Sequence, residues 1–173
     1  MKNLIIITGQ EGVGKSTLVR ALLPHTQHGA QIDAEDVGQT NPWEMNDAFV
    51  RLLWRNVLAL MNNFWEAGYL NVIAGSFLGT YDEYKQFREN VPKDTNIYVI
   101  QLCASREKRD IRRIEREKPT RKEWRDHADT FFPQDETLKE NSDDYRFIRI
   151  DNNNLTIEET VTAIKKAIPE IYG

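Results

Sequence analysis

The sequence predicts an α/β domain of three layers, in which helices cover both faces of a parallel, doubly wound, five-stranded sheet. Short apolar runs alternate along the chain with longer segments of helical periodicity, which is typical of a parallel sheet. A glycine-rich segment separates the first apolar run from the first helical pattern. The length of 173 residues fits a single domain that buries a sizeable core without help from a metal or a disulfide.

The first half of the chain opens with an apolar run at residues 4–8, which has the length of one buried strand. A helical pattern at 14–23 stops just before Pro24. A short candidate strand at 30–33 then precedes a long helical pattern at 43–66, whose two apolar stripes indicate a helix covered on two sides. The next strand, at 69–74, closes at a glycine and a serine.

The second half continues the alternation as far as the C-terminus. Residues 118–140 are polar, include Pro119 and Pro133 and show no clear period, so no element is predicted there. The predicted elements are a helix at 81–89, a strand at 96–103, a charged helix at 106–116, a strand at 147–150, a turn at 152–154 and a helix at 156–168.

Composition and charge narrow the classes of partner. The formal net charge of −4 argues against broad electrostatic binding to nucleic acid or to an anionic membrane. The apolar run near the N-terminus is too short for a signal peptide or a membrane span, so no membrane partner is expected. Cys103 is the single cysteine, which excludes an intrachain disulfide and fits a reducing, cytoplasmic location.

The most specific signal is the segment that follows the first predicted strand. It matches G-x-x-x-x-G-K-[ST] at every fixed position and opens a helix, the arrangement of a loop that surrounds nucleotide phosphates with backbone N–H groups. Lys15 is then expected on the β- and γ-phosphates and the Ser16 hydroxyl on Mg²⁺. The predicted nucleotide-binding residues of the loop are Gly9, Gln10, Glu11, Gly12, Val13, Gly14, Lys15, Ser16 and Thr17.

Phosphoryl transfer also needs a carboxylate near the metal and a group that orients or deprotonates the acceptor. In open α/β sheets such groups lie at the carboxyl ends of strands. Asp33 ends the second predicted strand, and Asp36 follows three residues later. Asp33 is therefore the predicted acceptor base and water-mediated magnesium contact, with Asp36 as the second choice and helix capping as the structural alternative for both.

The order of these features resembles the P-loop kinases of small molecules and nucleotides, the group that includes shikimate kinase, gluconate kinase and adenylate kinase. The resemblance covers nearly the whole chain, but only the phosphate loop is a specific motif. It implies the strand order 2-3-1-4-5, ATP as donor, Mg²⁺ as cofactor and a mobile lid. In shikimate-type members a carboxylate after the second strand contacts the acceptor, and Asp33 matches that place.

In the same group the helix after the fourth strand carries arginines for adenine and phosphates, and Arg112 and Arg116 match those positions. Residues 106–125 hold ten Lys/Arg and five Asp/Glu, a local charge of +5. Arg112 and Arg116 form a like-charge i,i+4 pair, which an anion between them would stabilise, so Arg116 is predicted to be catalytic. Arg113 is a weaker candidate. The expected lid is 118–127 with Arg121 and Arg125 as phosphate contacts, and the turn at Asn152 is expected beside the base.

The sequence also departs from the patterns of the group. The Asp-Gly-Phe-Pro-Arg stretch of nucleoside-monophosphate kinases is replaced by Ala74-Gly75-Ser76-Phe77-Leu78, and the glycine triplet of shikimate kinases is absent. The favoured function is transfer of the γ-phosphate of ATP to a hydroxyl of a small molecule. A nucleotide or nucleoside kinase, a non-catalytic nucleotide-binding switch and a 5′-hydroxyl nucleic-acid kinase stay open as alternatives.

The segment after the second predicted strand bears on the charge of the acceptor. Between Arg20 and Arg51 there is no lysine or arginine, whereas Asp36, Trp43 and Glu44 are present. Kinases of anionic acceptors hold the anion with arginine, because a desolvated anion needs a charged partner. The sequence therefore favours a neutral or cationic hydroxylated acceptor, with Trp43 available to stack on it. It does not indicate the oligomeric state.

Overall fold

The computed structural model describes residues 1–117 and 119–173. Within these ranges the strands form one five-stranded sheet in which all neighbours run parallel, in the order β2-β3-β1-β4-β5. The strands are β1 (Lys2–Thr8), β2 (Gly29–Asp33), β3 (Asn71–Gly75), β4 (Thr95–Cys103) and β5 (Arg146–Asp151). The predicted fold class and strand order are thus confirmed.

Helices and one 3₁₀ turn (Leu23–His25) connect and flank the strands. Among the residues described, no helix combines the length and the apolar character needed to cross a bilayer. The helices are α1 (Lys15–Leu22), α2 (Ala34–Val37), α3 (Asp47–Glu66), α4 (Tyr81–Arg88), α5 (Arg106–Glu115), α6 (Lys122–Phe131), α7 (Thr137–Glu140), α8 (Ile157–Ala167) and α9 (Pro169–Tyr172).

The central strand β1 shows why the sheet needs helices on both faces. Successive side chains of a strand point to opposite faces, and residues 4–7 are all buried. Leu4 and Ile6 belong to the core formed with α3 and α4, whereas Ile5 and Ile7 belong to the core formed with α1 and α8. A continuous apolar run is therefore what a strand buried between two helical layers requires.

Among the differences from the prediction, two concern helices near the site. The long helix starts at Asp47 rather than at residue 43, because the Asn46 side chain accepts a hydrogen bond from the Phe49 N–H (2.9 Å) and caps the helix there. Helix α6 lies within the segment that showed no clear period. Its Asp129 is hydrogen-bonded to Arg109 of α5, so tertiary contacts supply what the local pattern lacks.

The parallel register brings three chain segments to one edge of the sheet. Asp33 at the end of β2 lies opposite Gly75 of β3, and Ile7 of β1 lies opposite the same glycine. The glycine-rich loop after β1, the turn after β2 and the turn after β3 consequently start side by side. This is the edge at which open α/β sheets place their sites.

Candidate functional site

The glycine-rich loop after β1 has a backbone that only glycine permits at key points. Gly9 and Gly12 have φ angles of 138° and 81°. A Cβ atom on Gly9 would lie 2.5 Å from the Leu102 carbonyl oxygen, and one on Gly12 would lie 2.8 Å from the Arg109 carbonyl oxygen. The loop therefore needs glycine for its conformation and for its close packing against β4 and α5.

Lys15 begins α1 and turns back beneath the loop. Its Nζ donates hydrogen bonds to the carbonyl oxygens of Gly9 (2.8 Å) and Gln10 (3.1 Å). Burial lowers the pKa of Lys15 to about 8, although the surrounding carboxylates, above all Glu35, partly oppose this shift. An anion above the loop would favour the charged form, so the site is suited to phosphate.

A cavity of about 460 Å³ lies over this loop. Its wall includes the loop residues from Glu11 to Thr17, the α5 residues Arg112 and Arg116, and Asn152 after β5. Ser16 lies at the start of α1, where the uncapped N–H groups and the helix dipole favour an anion. The Ser16 hydroxyl and a nearby carboxylate could hold Mg²⁺ together with a nucleotide phosphate. So few protein ligands suit Mg²⁺, which usually keeps several of its waters. We call this cavity the donor cavity.

Arg112 and Asn152 form one wall of the donor cavity. Arg112 donates to the side-chain oxygen (3.1 Å) and the carbonyl oxygen (2.8 Å) of Asn152 and to the Val13 carbonyl (3.2 Å). Asn152 also donates to the Val13 carbonyl at 2.9 Å. Burial lowers the pKa of Arg112. These bonds hold the planar guanidinium at the cavity wall, the place the sequence suggested for base and phosphate contacts.

Arg116, the predicted catalytic arginine, lies where α5 ends. Its guanidinium approaches the Glu11 carboxylate (3.5 Å) and donates to the Thr120 hydroxyl. The other Glu11 oxygen accepts from Trp124 Nε1 of α6 (2.5 Å). Glu11 therefore links the phosphate loop to the segment that was predicted as the lid.

The other arginines of this region do not line the donor cavity: one is buried beneath the loop, and two lie away from both cavities. Arg113 is fully buried and donates to the Glu11 carbonyl oxygen (2.6 Å), so it supports the loop from below. Arg121 and Arg125, the suggested phosphate contacts of the lid, line neither of the two cavities. Arg125 donates instead to the Thr120 carbonyl oxygen. Lys118, the first residue of the predicted lid, lies outside the described residues.

The carboxylates after β2 are arranged differently from the expectation. The Asp33 side chain is 2% exposed, is paired with Arg20 at 3.3 Å and accepts from the Glu35 N–H, which caps α2. Asp36 is exposed and lies 3.7 Å from Arg20. Neither carboxylate lines a cavity, whereas Glu35 lines both. The only sequence signal for Glu35 was its position two residues beyond the strand end.

The environment of Glu35 suits a proton acceptor. The side chain is exposed to the cleft, but partial desolvation there, and then the neighbouring Asp33 carboxylate, raise its pKa above the ordinary value. Lys15 and Arg116 oppose this rise. A carboxylate with a raised pKa is a better general base than an ordinary surface carboxylate.

A second cavity of about 510 Å³ adjoins the first. Its wall is formed by the loop before α3, the start of α3, the turn after β3 and the end of α6. Trp43, predicted to face the acceptor, lines this cavity, whereas Glu44 does not. We call it the acceptor cavity. The residues common to both cavities are Glu11, Lys15, Glu35, Ser76 and Arg116.

Ser76, at this junction, was not singled out by the sequence. It follows β3 and has a φ of 67°, a left-handed conformation that is uncommon for serine. Its hydroxyl oxygen is buried and finds no hydrogen-bond partner among residues 1–117 and 119–173. A strained residue with an unsatisfied polar atom between two cavities is a candidate for ligand contact.

The fold is shared with several solved kinases. A sugar kinase from Janibacter sp. HTCC2649 matches with a TM-score of 0.76 and 15% identity over 98% of this chain and 95% of that chain. A gluconokinase from Sinorhizobium meliloti 1021 matches with a TM-score of 0.71 and 12% identity over 97% and 92%. A thymidylate kinase from Candida albicans matches with a TM-score of 0.63 and 16% identity over 98% and 92%.

Sequence comparison does not extend this likeness. No family model matches the chain. A search of curated proteins also finds no match. The likeness therefore concerns the fold, which this chain shares with these solved kinases.

Proposed function

We propose that this protein is an ATP-dependent phosphotransferase that moves the γ-phosphate to a hydroxyl group of a small molecule. The observation that carries the proposal is the junction of two cavities at Lys15, Glu35, Ser76 and Arg116. A transfer enzyme needs a donor site and an acceptor site that meet at the groups acting on the transferred phosphoryl group. The kinase-like fold supports the same reaction class.

On the donor side the chain would hold Mg·ATP, which supplies the phosphoryl group. Loop N–H groups and Lys15 neutralise the phosphates. Arg116 would leave its contact with Glu11 and stabilise the negative charge that builds up on the transferred phosphoryl group. Ser16 is the proposed magnesium contact, and Asp33 is not proposed for that role because Arg20 and the Glu35 N–H hold its oxygens and it lines neither cavity. Arg112 and Asn152 form the wall for the base.

On the acceptor side we propose Glu35 as the general base in place of Asp33. The acceptor oxygen forms a bond to the γ-phosphorus as the bond to the bridging oxygen of ADP breaks, and the hydroxyl proton passes to Glu35. Asp33 acts through its negative charge near Lys15, which favours the charged lysine, and by capping the turn that carries Glu35.

The test is phosphoryl transfer to a panel of alcohols, followed as ADP formation and product mass. Glu35→Gln is expected to lower kcat by about 10²–10⁴-fold while the Kd for Mg·ATP changes little. Lys15→Ala is expected to abolish most nucleotide binding. Glu44→Gln, an exposed change outside both cavities, serves as the matched control and is expected to behave as wild type.

The alternatives give different results in the same assay. Loss of turnover in Asp33→Asn but not in Glu35→Gln would return the base to Asp33. Tight Mg·ATP binding without transfer to any alcohol would favour a switch. Absence of nucleotide binding at millimolar Mg·ATP would contradict the proposal as a whole.

A further inference from the structure

The acceptor cavity has walls that are mainly apolar and aromatic. One wall comes from the loop before α3 and the start of that helix, a second from the turn after β3, and a third from α6 and the residues that follow it. Trp43 meets Phe49 edge-on at 5.9 Å, and Trp124 stacks with Phe131 at 5.9 Å. The aromatic lining residues are Trp43, Phe49, Phe77, Trp124, Phe131 and Phe132.

Several apolar side chains that line the acceptor cavity are exposed to solvent. Trp43 is 50% exposed, Met45 41% and Phe131 59%. Exposed apolar groups gathered around one concavity favour a ligand that removes them from water. A water-rich polyol would leave this surface poorly covered, whereas a ring-bearing molecule would bury it.

The charges around the acceptor cavity disfavour an anionic acceptor. Among its lining residues, within the described parts of the chain, the cations are Lys15 and Arg116, and both also line the donor cavity. The lining carboxylates are Glu11, Glu35, Asp47 and Glu83. Because both cations are expected on ATP phosphates, an anionic acceptor would meet carboxylates without a cation of its own.

Polar groups that could recognise a polyol are committed elsewhere. The Glu83 carboxylate accepts from the N–H groups of Gly79 (2.6 Å) and Thr80 (3.1 Å) as part of a capping box. The Gln101 amide donates to the Asp135 carbonyl (3.0 Å) and accepts from Arg149 (2.9 Å). Glu35 and the Ser76 hydroxyl are the polar groups at the junction that can meet an acceptor hydroxyl, and Asn46, Asp47 and Gln134 are the further polar side chains of the wall.

From these walls and charges we infer that the acceptor is an alcohol carried on an aromatic or apolar ring body, and that this body is uncharged or cationic. The ring lies between the α3 side and the α6 side of the acceptor cavity, and its hydroxyl reaches Glu35 at the junction. This inference rests on the proposed function and specifies its substrate class. Sugar acids, open-chain polyols and phosphorylated acceptors are excluded.

Alcohols on one skeleton test the charge preference. Phenylalaninol carries an ammonium group, 3-phenylpropane-1,2-diol is neutral, and 3-phenyllactate carries a carboxylate, while glucose and gluconate lack an aromatic or apolar ring. The expected kcat/KM with the amino alcohol or the diol exceeds that with phenyllactate, glucose or gluconate by at least about tenfold. Preferred phosphorylation of gluconate or glucose would leave the kinase proposal standing and overturn this inference.

Binding without ATP gives a readout that does not depend on catalysis. Trp43 and Trp124 line the cavity, so the phenyl probes are expected to change tryptophan fluorescence on titration. Phe131→Ser is expected to raise the Kd of the diol at least about fivefold. Tyr69→Ser, which also removes an exposed ring but lies outside the cavity, is the matched control and is expected to leave this Kd unchanged.

The two readouts separate the possible failures. Binding of the phenyl probes that is sensitive to Phe131→Ser, with no transfer to any alcohol, would contradict the proposed function but support the cavity's ligand class. If no phenyl probe binds and none is phosphorylated, the inference is wrong. Equal Kd values for the diol in the wild type and in Phe131→Ser would also overturn it.

Discussion

The side chains of Asp33 and Glu35, at and just after the end of β2, have different partners. Asp33 ends the strand as expected, but its oxygens are used by Arg20 and by the N–H of Glu35. Glu35, two residues further on, is carried by the first turn of α2 to the junction of the cavities. A short polar side chain at a helix start is drawn to the free N–H groups there, which leaves the next carboxylate for chemistry.

Ser76 provides a prediction at the scale of one residue. Its φ of 67° disfavours any residue with a Cβ, so Ser76→Gly relieves strain whereas Ser76→Ala keeps it. We expect the glycine variant to exceed the alanine variant by about 1 kcal/mol in the free energy of unfolding, measured by urea denaturation. Both variants lose the hydroxyl and are expected to lose about tenfold in kcat.

The activity of the two Ser76 variants decides what the hydroxyl does. Wild-type kcat in both variants would show that the serine is not a contact of the reacting groups. Loss in Ser76→Gly with full activity in Ser76→Ala would assign the effect to the backbone conformation instead of the hydroxyl.

At the scale of elements, helix α6 is attached to α5 through Asp129. The Asp129 carboxylate accepts from Arg109 at 2.6 and 2.8 Å and from Arg113 at 3.3 Å. The side chains of these arginines are only 4% and 0% exposed, and both donate to the Glu11 carbonyl oxygen. One carboxylate on α6 therefore faces both cations that support the glycine-rich loop, and Asp110 of α5 also pairs with Arg113 at 2.9 Å.

We expect Asp129→Asn to lower the free energy of unfolding by about 2–3 kcal/mol, because it leaves a buried guanidinium without its counter-ion. Asp126→Asn, on the same helix, alters only the exposed pairs with Arg106 and Lys122 and is the control, with little change expected. Urea denaturation of the three proteins at neutral pH measures the difference. Equal stability of the two variants would show that α6 is not held by this contact.

The same contact has a defined pH dependence. Hydrogen bonding to Arg109 is the main cause that lowers the pKa of Asp129 below its ordinary value of 3.8. Its contribution is therefore present above that value and is lost as the pH falls through the lowered pKa. The stability difference between wild type and Asp129→Asn is expected to shrink in acid.

At the scale of the whole molecule, the lowered pKa of Lys15 couples nucleotide binding to protons. The folded pKa of about 8 lies below the ordinary 10.5, so between these values the unfolded chain binds more protons than the folded one. Burial of this lysine therefore destabilises the ligand-free protein at neutral pH, and the penalty falls as the pH rises above about 8. Phosphates above the loop would raise the pKa again.

Binding of Mg·ATP at pH 8.5 is accordingly expected to take up roughly three-quarters of a proton per site, and little at pH 7 where Lys15 is already charged. Calorimetric titrations in two buffers of different ionisation enthalpy measure this uptake. A saturating nucleotide at a hundred times its Kd should also add about 2.7 kcal/mol of stability. Binding at pH 8.5 without proton uptake would contradict the proposed role of Lys15.

The sequence by itself determined the fold class and the position of the glycine-rich loop, whose binding of phosphate stays a prediction. Residues 4–8 and the segment Gly9–Ser16 are continuous in the chain, so burial of the strand and glycine in the loop leave a readable local pattern. The strand order followed from the resemblance to the P-loop kinases. The start of α3 was placed at residue 43, whereas Asn46 caps the helix and Asp47 begins it.

Only the tertiary structure decided the acceptor side. Helix α6 forms from a segment without a clear period, and its Asp129 is held by buried arginines of the preceding helix α5. The acceptor cavity combines residues as distant as Trp43, Phe77 and Phe131, and no local window contains such a set. The choice of Glu35 over Asp33 and the strained turn at Ser76 depend on side-chain direction and backbone conformation after a strand ends. Tertiary packing and helix capping determine these features, so they cannot be predicted from the hydrophobic periodicity of the sequence.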